Sequence, residues 1–185
     1  MRKDFGVKSW FYPLPVLIIG TYDANGKADA MNAAWGGLYD SNLVELCLSE
    51  GHKTYKNIIE KKAFTISFAT ANTVKASDYV GIVSARNEEN KMEKAGFTTT
   101  KSEFVNAPII NELPLTIECE LKEVIQGSKF LGEIKNVNVD ESVLGEDGEI
   151  DLNKFTPITY DPVHHYYVEL GDVVGKAFND GKKLK

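Results

Sequence analysis

The sequence has no apolar run approaching the roughly 18 residues that a membrane-spanning helix needs, so no membrane passage is expected. Positive charge is also short: 21 Lys and Arg stand against 27 Asp and Glu, for a formal net charge of −6. A general nucleic-acid surface needs clustered cations, which excludes nucleic acid as a partner and makes any anion site local. Cysteine is scarce. Cys47 and Cys119 each sit in an apolar strand-like run, without a CxxC partner or metal-ligand spacing, and are read as core thiols in a reducing compartment. No GxGxxG follows a strand, which excludes a dedicated dinucleotide site of the doubly wound kind. Neither Ser49 nor Cys47 lies in a nucleophile-elbow motif, which removes the corresponding hydrolases. Histidine is limited to three residues. His164 and His165, near Asp161, are expected on a strand, where neighbours point to opposite faces: one toward the barrel end, one toward solvent, and no metal between them. The basic, apolar N-terminus and Ala28-Asp29-Ala30 loosely imitate a signal peptide. Pro13, Pro15, Asp23 and Lys27 interrupt the pattern, so a cytoplasmic protein is expected.

What remains is an ordinary globular composition, 43% hydrophobic and 26% charged, in 185 residues, enough for one domain with a substantial core. Internal repeats and low-complexity tracts are lacking. Trp10, Phe11 and Tyr12 precede two prolines in an irregular lead-in. The runs 17–22 and 27–32 flank Asp23-Ala24-Asn25-Gly26, an Asn-Gly hairpin signal. Small residues Ala33, Ala34, Gly36 and Gly37 surround Trp35, where a backbone can approach a ligand closely. Val44, Leu46 and Leu48 alternate with Glu45, Cys47 and Ser49, as in a half-buried strand. Thr54 is then expected to N-cap a helix from Tyr55 to about Lys62. A helix start beside Lys53 and a hydroxyl suits a phosphate dianion, although a capped helix after a strand explains the same residues. Residues 63–69 alternate as a strand. A helical insertion follows at about 73–96, its run from Arg86 to Lys94 read as a solvated face and Gly96 as its end. Strands are expected at 115–125, 129–139 and 166–170, with turns at Gly127-Ser128 and Asp147-Gly148. Six or seven strands with few helices imply an antiparallel barrel or a closely related sheet.

Five segments occur in an order that resembles a known family. They are Asn32-Ala33-Ala34-Trp35; Ser49 with Lys53-Thr54-Tyr55-Lys56-Asn57-Ile58; Asp78-Tyr79-Val80-Gly81-Ile82-Val83-Ser84; Glu118-Cys119-Glu120-Leu121; and Phe130-Leu131-Gly132-Glu133-Ile134. The set is similar to the flavin reductase-like, FMN-binding split-barrel family, and within it to the flavoredoxins, over about Pro13 to Phe178. The resemblance implies a mainly β fold, a six-stranded antiparallel split β-barrel of Greek-key type with flanking helices, spanning 1–185 as a single domain. It implies a homodimer with FMN near the subunit interface. By the same resemblance, Asn32, Ala33, Ala34 and Trp35 line the flavin ring, and Ser49, Lys53 and Thr54 take the phosphate. Lys91 matches a family lysine, and Tyr166 falls where the family often places an aromatic. The chain departs from the family at Asn90, commonly Asp, at Ala85, commonly Gly, and at Lys129, where flavoredoxins tend to carry a histidine. A lysine there can still donate to a flavin oxygen, and its charge favours anionic reduced flavin.

The implied function is that of an FMN-dependent oxidoreductase, with NADH or NADPH as a transient co-substrate or a redox protein as donor. No side-chain catalyst is assigned, because a flavin carries the difficult chemistry and the protein supplies position and electrostatics. Two alternatives stand beside it: a non-catalytic flavin-binding electron carrier, and a related barrel using pyridoxal phosphate or haem, which fold alone does not separate.

Overall fold

Two apolar runs joined by a tight turn begin the sheet. In the computed structural model, which describes residues 1–184, Leu14–Pro15 (β1) leads into Leu17–Tyr22 (β2), and β2 pairs antiparallel with Ala28–Ala33 (β3). The Asp23 carboxylate accepts the N–H groups of Asn25 and Lys27 at 3.0 Å, and Gly26 takes the left-handed conformation, φ 78°. The expected Asn-Gly hairpin is therefore present. Gly36–Asp40 (β4) and Leu43–Cys47 (β5) form the next hairpin, followed by the helix Lys53–Lys61 (α1) and Ala63–Phe68 (β6). Then come Val74–Ile82 (α2), Lys91–Ala95 (α3), Thr99–Lys101 (β7) and Pro108–Ile110 (β8). The long strands Leu115–Ile125 (β9) and Lys129–Val139 (β10) pair with each other, and Ile158–Asp161 (β11) and Tyr166–Glu169 (β12) finish the fold.

Seven strands form one curled antiparallel sheet in the order β3-β2-β6-β9-β10-β5-β4, giving the split barrel. A smaller sheet, β1-β11-β12, and the β7-β8 ribbon complete it. The main sheet has one strand more than the six expected. The addition is β4, whose glycines read as a loop in isolation. A Cβ on Gly36 would lie 2.7 Å from Leu46 Cδ2 and 2.8 Å from the Glu45 carbonyl oxygen, so only glycine lets β4 approach β5.

The position of β2 explains its apolar first half, Leu17-Ile18-Ile19. Leu17 and Ile19 join Val44, Leu46, Leu48, Phe64 and Phe130 inside the barrel. Val16, just before the strand, and Ile18 pack instead with Val80, Phe97, Ile110 and Ile158 on the other face. A strand covered on both sides has no polar face to display. Each buried Leu or Ile side chain contributes roughly 1.5–3 kcal/mol.

Three local expectations are corrected. Helix α1 begins at Lys53 with His52 as its N-cap residue, so Thr54 is not the cap. Thr54 lies inside the first turn on the same face as Asn57 and Ile58, at i, i+3 and i+4, and that stripe is buried. The helix ends where Lys62 adopts φ 57° and donates its N–H to the Ile58 carbonyl at 2.8 Å. The run from Arg86 to Lys94 is not a solvated helix face: α2 stops at Ile82, α3 starts at Lys91, and Lys91 is buried. Gly96, at φ 76°, does end α3 as expected. His164 and His165 occupy the turn between β11 and β12 rather than a strand, each held by a partner on β11. His164 Nδ1 meets the Asp161 carboxylate at 2.7 Å and His165 Nδ1 the Tyr160 hydroxyl at 2.5 Å. Among the described residues no helix is long and apolar enough to cross a membrane.

Candidate functional site

The β2–β3 hairpin, the start of α1 and the α2–α3 connection meet around a cleft of about 250 Å³. Strand β3 contributes Asp29, Met31 and Asn32, the segment entering α1 contributes 51–54, and the end of α2 with the residues after it contributes 80–85. Lys91 closes one side.

Two ion pairs set the electrostatics. Lys53, at the start of α1, places its ammonium 3.0 Å from the Asp23 carboxylate in the hairpin turn. Burial pushes the Asp23 carboxyl up, but hydrogen bonds from Lys53 and from the Lys27 and Asn25 amides outweigh it and leave the group below its ordinary value. The second pair is deeper. Lys91 and Asp29 lie 3.2 Å apart with side chains only 4% and 3% exposed, and the same ammonium donates to the Ala30 carbonyl at 2.5 Å. Burial drives the Lys91 ammonium below its usual range, and Asp29 offsets only part of that shift.

Helix α1 points its N-terminus at this cleft without a side-chain cap and without an acidic residue in its first turn. Its leading amides therefore carry partial positive charge that neither a capping side chain nor a first-turn carboxylate neutralises. Beside Lys53, the arrangement favours an anion. Asn32, at the end of β3, donates its side-chain amide to the Ser77 carbonyl at 3.1 Å, which fixes it against α2.

Of the residues singled out from the sequence, Asn32, Lys53, Thr54 and Lys91 line the cleft together. Ala33 ends β3 and Ala34 follows it into the corner before β4. Trp35 at that corner is 60% exposed and borders a second groove of about 380 Å³ with Leu38, Tyr39 and Cys47. Ser49 lies on the loop before α1, exposed, its carbonyl accepting the His52 N–H at 3.0 Å. Lys129 opens β10 opposite Cys47, with its ammonium 3.9 Å from Glu45. Tyr166 opens β12 in the smaller sheet and stacks on His164, ring centroids 5.7 Å apart. Ala33, Ala34 and these last four do not line the cleft. Sequence reasoning missed Asp23 and Asp29. A carboxylate on an inward-facing strand position is itself the available signal, since it demands a buried partner.

Comparison with known proteins agrees with the geometry. Residues 9–167 match the model of the flavin reductase like domain. The chain belongs to the flavin reductase-like family. Among solved structures, this flavin reductase-like chain is similar to the flavoredoxin of Desulfovibrio vulgaris (Miyazaki F), 39% identical, covering 98% of this chain and 100% of that one at a TM-score of 0.94. It is also similar to the flavoredoxin from Methanosarcina acetivorans, 28% identical, with 100% of both chains covered at a TM-score of 0.89. An uncharacterized protein of Aeropyrum pernix is 28% identical over 80% of this chain, which spans 57% of that relative's length. The split-barrel architecture and the flavoredoxin resemblance of the sequence are thus both upheld.

Proposed function

We propose that the cleft binds FMN and that the protein is an FMN-dependent oxidoreductase, taking electrons from NADH or NADPH. One observation carries this reading: Asn32, Lys53 with Thr54, and Lys91, from three separate segments of the sequence, converge on one cleft at the uncapped start of α1. The donor set fits the cofactor. The α1 amides and Lys53 suit the phosphate, and Asn32 with the backbone of Ala33 and Ala34 suits the ring. The cleft is smaller than the roughly 300–1,000 Å³ of a complete small-molecule site, so it holds one part of the nucleotide. The rest extends toward Trp35, which is three residues from Asn32 and at most about 11 Å away along the chain.

When bound, FMN supplies two-electron and one-electron redox chemistry. The chain's own residues bind and orient it. Lys53, released from Asp23, neutralises phosphate charge. Lys91, paired with Asp29, places a hydrogen-bond donor on that side of the cleft. We further read the protein as a homodimer, in which the exposed lead-in at Trp10, Phe11 and Tyr12 and the exposed Leu38 and Tyr39 of edge strand β4 meet a second copy. Covering those side chains and β4 removes apolar surface and an open edge from water. Light scattering that finds only monomer on dilution from high concentration contradicts this part.

The decisive experiment is an anaerobic titration. The purified protein is expected to show an FMN absorption spectrum, or to acquire one on adding FMN, that bleaches with NADH or NADPH. Colourless protein that binds no added FMN removes the proposal. The likeness to two flavoredoxins favours a second reading, an electron carrier reduced by a protein partner. Bleaching by dithionite but by neither pyridine nucleotide selects it.

A further inference from the structure

Asn32 is held more firmly than a ligand contact alone requires. Its amide nitrogen faces the Ser77 carbonyl at 3.1 Å and the Tyr167 hydroxyl at 3.4 Å. A carbonyl can only accept, so the atom facing Ser77 must be the nitrogen, and the amide orientation is fixed by chemistry. The Tyr167 hydroxyl in turn donates to the Asp78 carboxylate at 2.8 Å, leaving its oxygen to accept from Asn32. Burial, and then Asp78, push the Tyr167 phenol up to about 12, so it remains a donor to Asp78 at any working pH.

The packing points the same way. Ser77, Asp78 and Gly81 share helix α2, and a Cβ on Gly81 would lie 2.9 Å from the Asn32 Cβ. The bare backbone at Gly81 is what lets α2 close on this side chain. Tyr167 belongs to β12, in the smaller sheet, so one hydrogen-bonded chain joins that sheet, α2 and the end of β3. Both amide hydrogens of Asn32 are then committed to the protein. Its carbonyl oxygen is the only hydrogen-bonding atom of the side chain left for the cleft.

We propose that Asp78 and Tyr167 are positioning residues that lock Asn32 as an acceptor-only contact, selecting an N–H or O–H donor on the bound ligand. This rests on the FMN reading above, and two FMN groups offer the required chemistry: the ring N3–H and the ribityl hydroxyls. A side chain free to rotate would present donor or acceptor equally and would not discriminate between them.

The test is a double-variant cycle read by FMN affinity, from quenching of flavin fluorescence, and by the visible absorption band of the bound flavin. Tyr167→Phe is expected to weaken FMN roughly two- to tenfold, the range of one hydrogen bond, and to shift the band. Asn32→Leu weakens binding about tenfold or more, and Tyr167→Phe adds nothing in that background, because the phenol acts only through the amide. An equal loss from Tyr167→Phe in both backgrounds overturns the inference. Asp78→Leu, of similar size and without an acceptor, gives a second route to the same cycle if Tyr167→Phe does not fold, with the same expectation and the same refutation. FMN methylated at N3 separates the two donor sources. A loss in wild type that is absent in Asn32→Leu assigns the ring N–H, and unchanged binding assigns a ribityl hydroxyl, either of which keeps Asn32 as the acceptor. Wild type that binds FMN while Asn32→Leu binds it equally well overturns this inference alone. Wild type that binds no FMN overturns the functional reading with it.

Discussion

Removing either member of the buried Lys91–Asp29 pair is expected to destabilise the protein strongly, and without Asp29 the loss depends on pH. At 3.2 Å and an effective dielectric constant of about 20, the attraction is about 5 kcal/mol. Desolvation of two ions whose side chains are 3–4% exposed costs several kcal/mol each, so the intact pair is near neutral in net effect. Losing one partner is different, because an uncompensated charge stays behind, at about 3–5 kcal/mol. In Lys91→Met the orphan is the buried Asp29 carboxylate, left without its counter-ion. In Asp29→Asn the orphan is the Lys91 ammonium, already lowered by burial and lowered further without its partner. The unfolded state then binds more protons, so stability rises with pH up to the unfolded value near 10.4. That slope reaches at most about 1.4 kcal/mol per pH unit. The assay is urea unfolding of FMN-free protein at pH 5, 7 and 9. With a denaturant slope of about 2 kcal/mol/M, a loss of 3–5 kcal/mol lowers the midpoint by roughly 2 M. Combining Asp29→Asn with Lys91→Met in one chain should recover much of the loss, since no charge remains. Stability of Asp29→Asn that falls as pH rises, or losses below about 1 kcal/mol in both single variants, refutes the reasoning.

Three further outcomes follow from other parts of the molecule. The Asp161 carboxyl is held far below its ordinary value, first by the Tyr12 hydroxyl and then, against some desolvation, by the Val163 amide and His164. Its stabilising effect is therefore present above about pH 4 and lost as pH falls below it, so the stability gap between wild type and Asp161→Asn should close between pH 5 and pH 2; a gap that stays constant contradicts this. Burial pushes the Cys119 thiol up to about 12, whereas Cys47 is partly exposed. Iodoacetamide at pH 8 should thus label one thiol per native chain at Cys47 and the second only after unfolding, and labelling of both at similar rates would show that β9 is not closed as described. Glu118, fully buried, accepts from Ser102 Oγ and, at 2.6 Å, from Asn136 Nδ2. Ser102→Ala should cost about 1–3 kcal/mol in thermal or urea unfolding by leaving that carboxylate short of a donor, and an unchanged midpoint would mean the contact contributes nothing.

The hairpins and long strands were legible because their information is local: period-two alternation in 43–49 and 115–125, and an Asn-Gly turn after Asp23. The segments forming the cleft were legible through the order of their motifs, whereas the start of α1 was expected at Tyr55, two residues late. What failed was cover. Alternation assigns Glu118, Glu120 and Lys122 to one face of β9, yet Glu120 and Lys122 are exposed while Glu118 is fully buried under the loop that Ser102 begins. Period tells which way a side chain points and not what lies over it. The same gap hid Asp29, whose partner Lys91 is 62 positions away in a run that looks solvated.

These buried charges are of two kinds, and the difference bears on the site. Glu118 is answered by two neutral donors, Ser102 and Asn136, and holds the β7–β8 loop against the sheet. Asp29 and Lys91 answer each other and also border the cleft. A pair that only had to stabilise could be replaced by apolar side chains of similar volume at little cost or even a gain. Departures from local sequence rules concentrate where function requires them. On the FMN reading proposed above, the Lys91 side chain at the cleft wall serves what enters the cleft. In that case Lys91→Met combined with Asp29→Leu should keep the fold and lose affinity for FMN, whereas a doubly apolar variant that binds FMN as wild type does would make the pair structural after all.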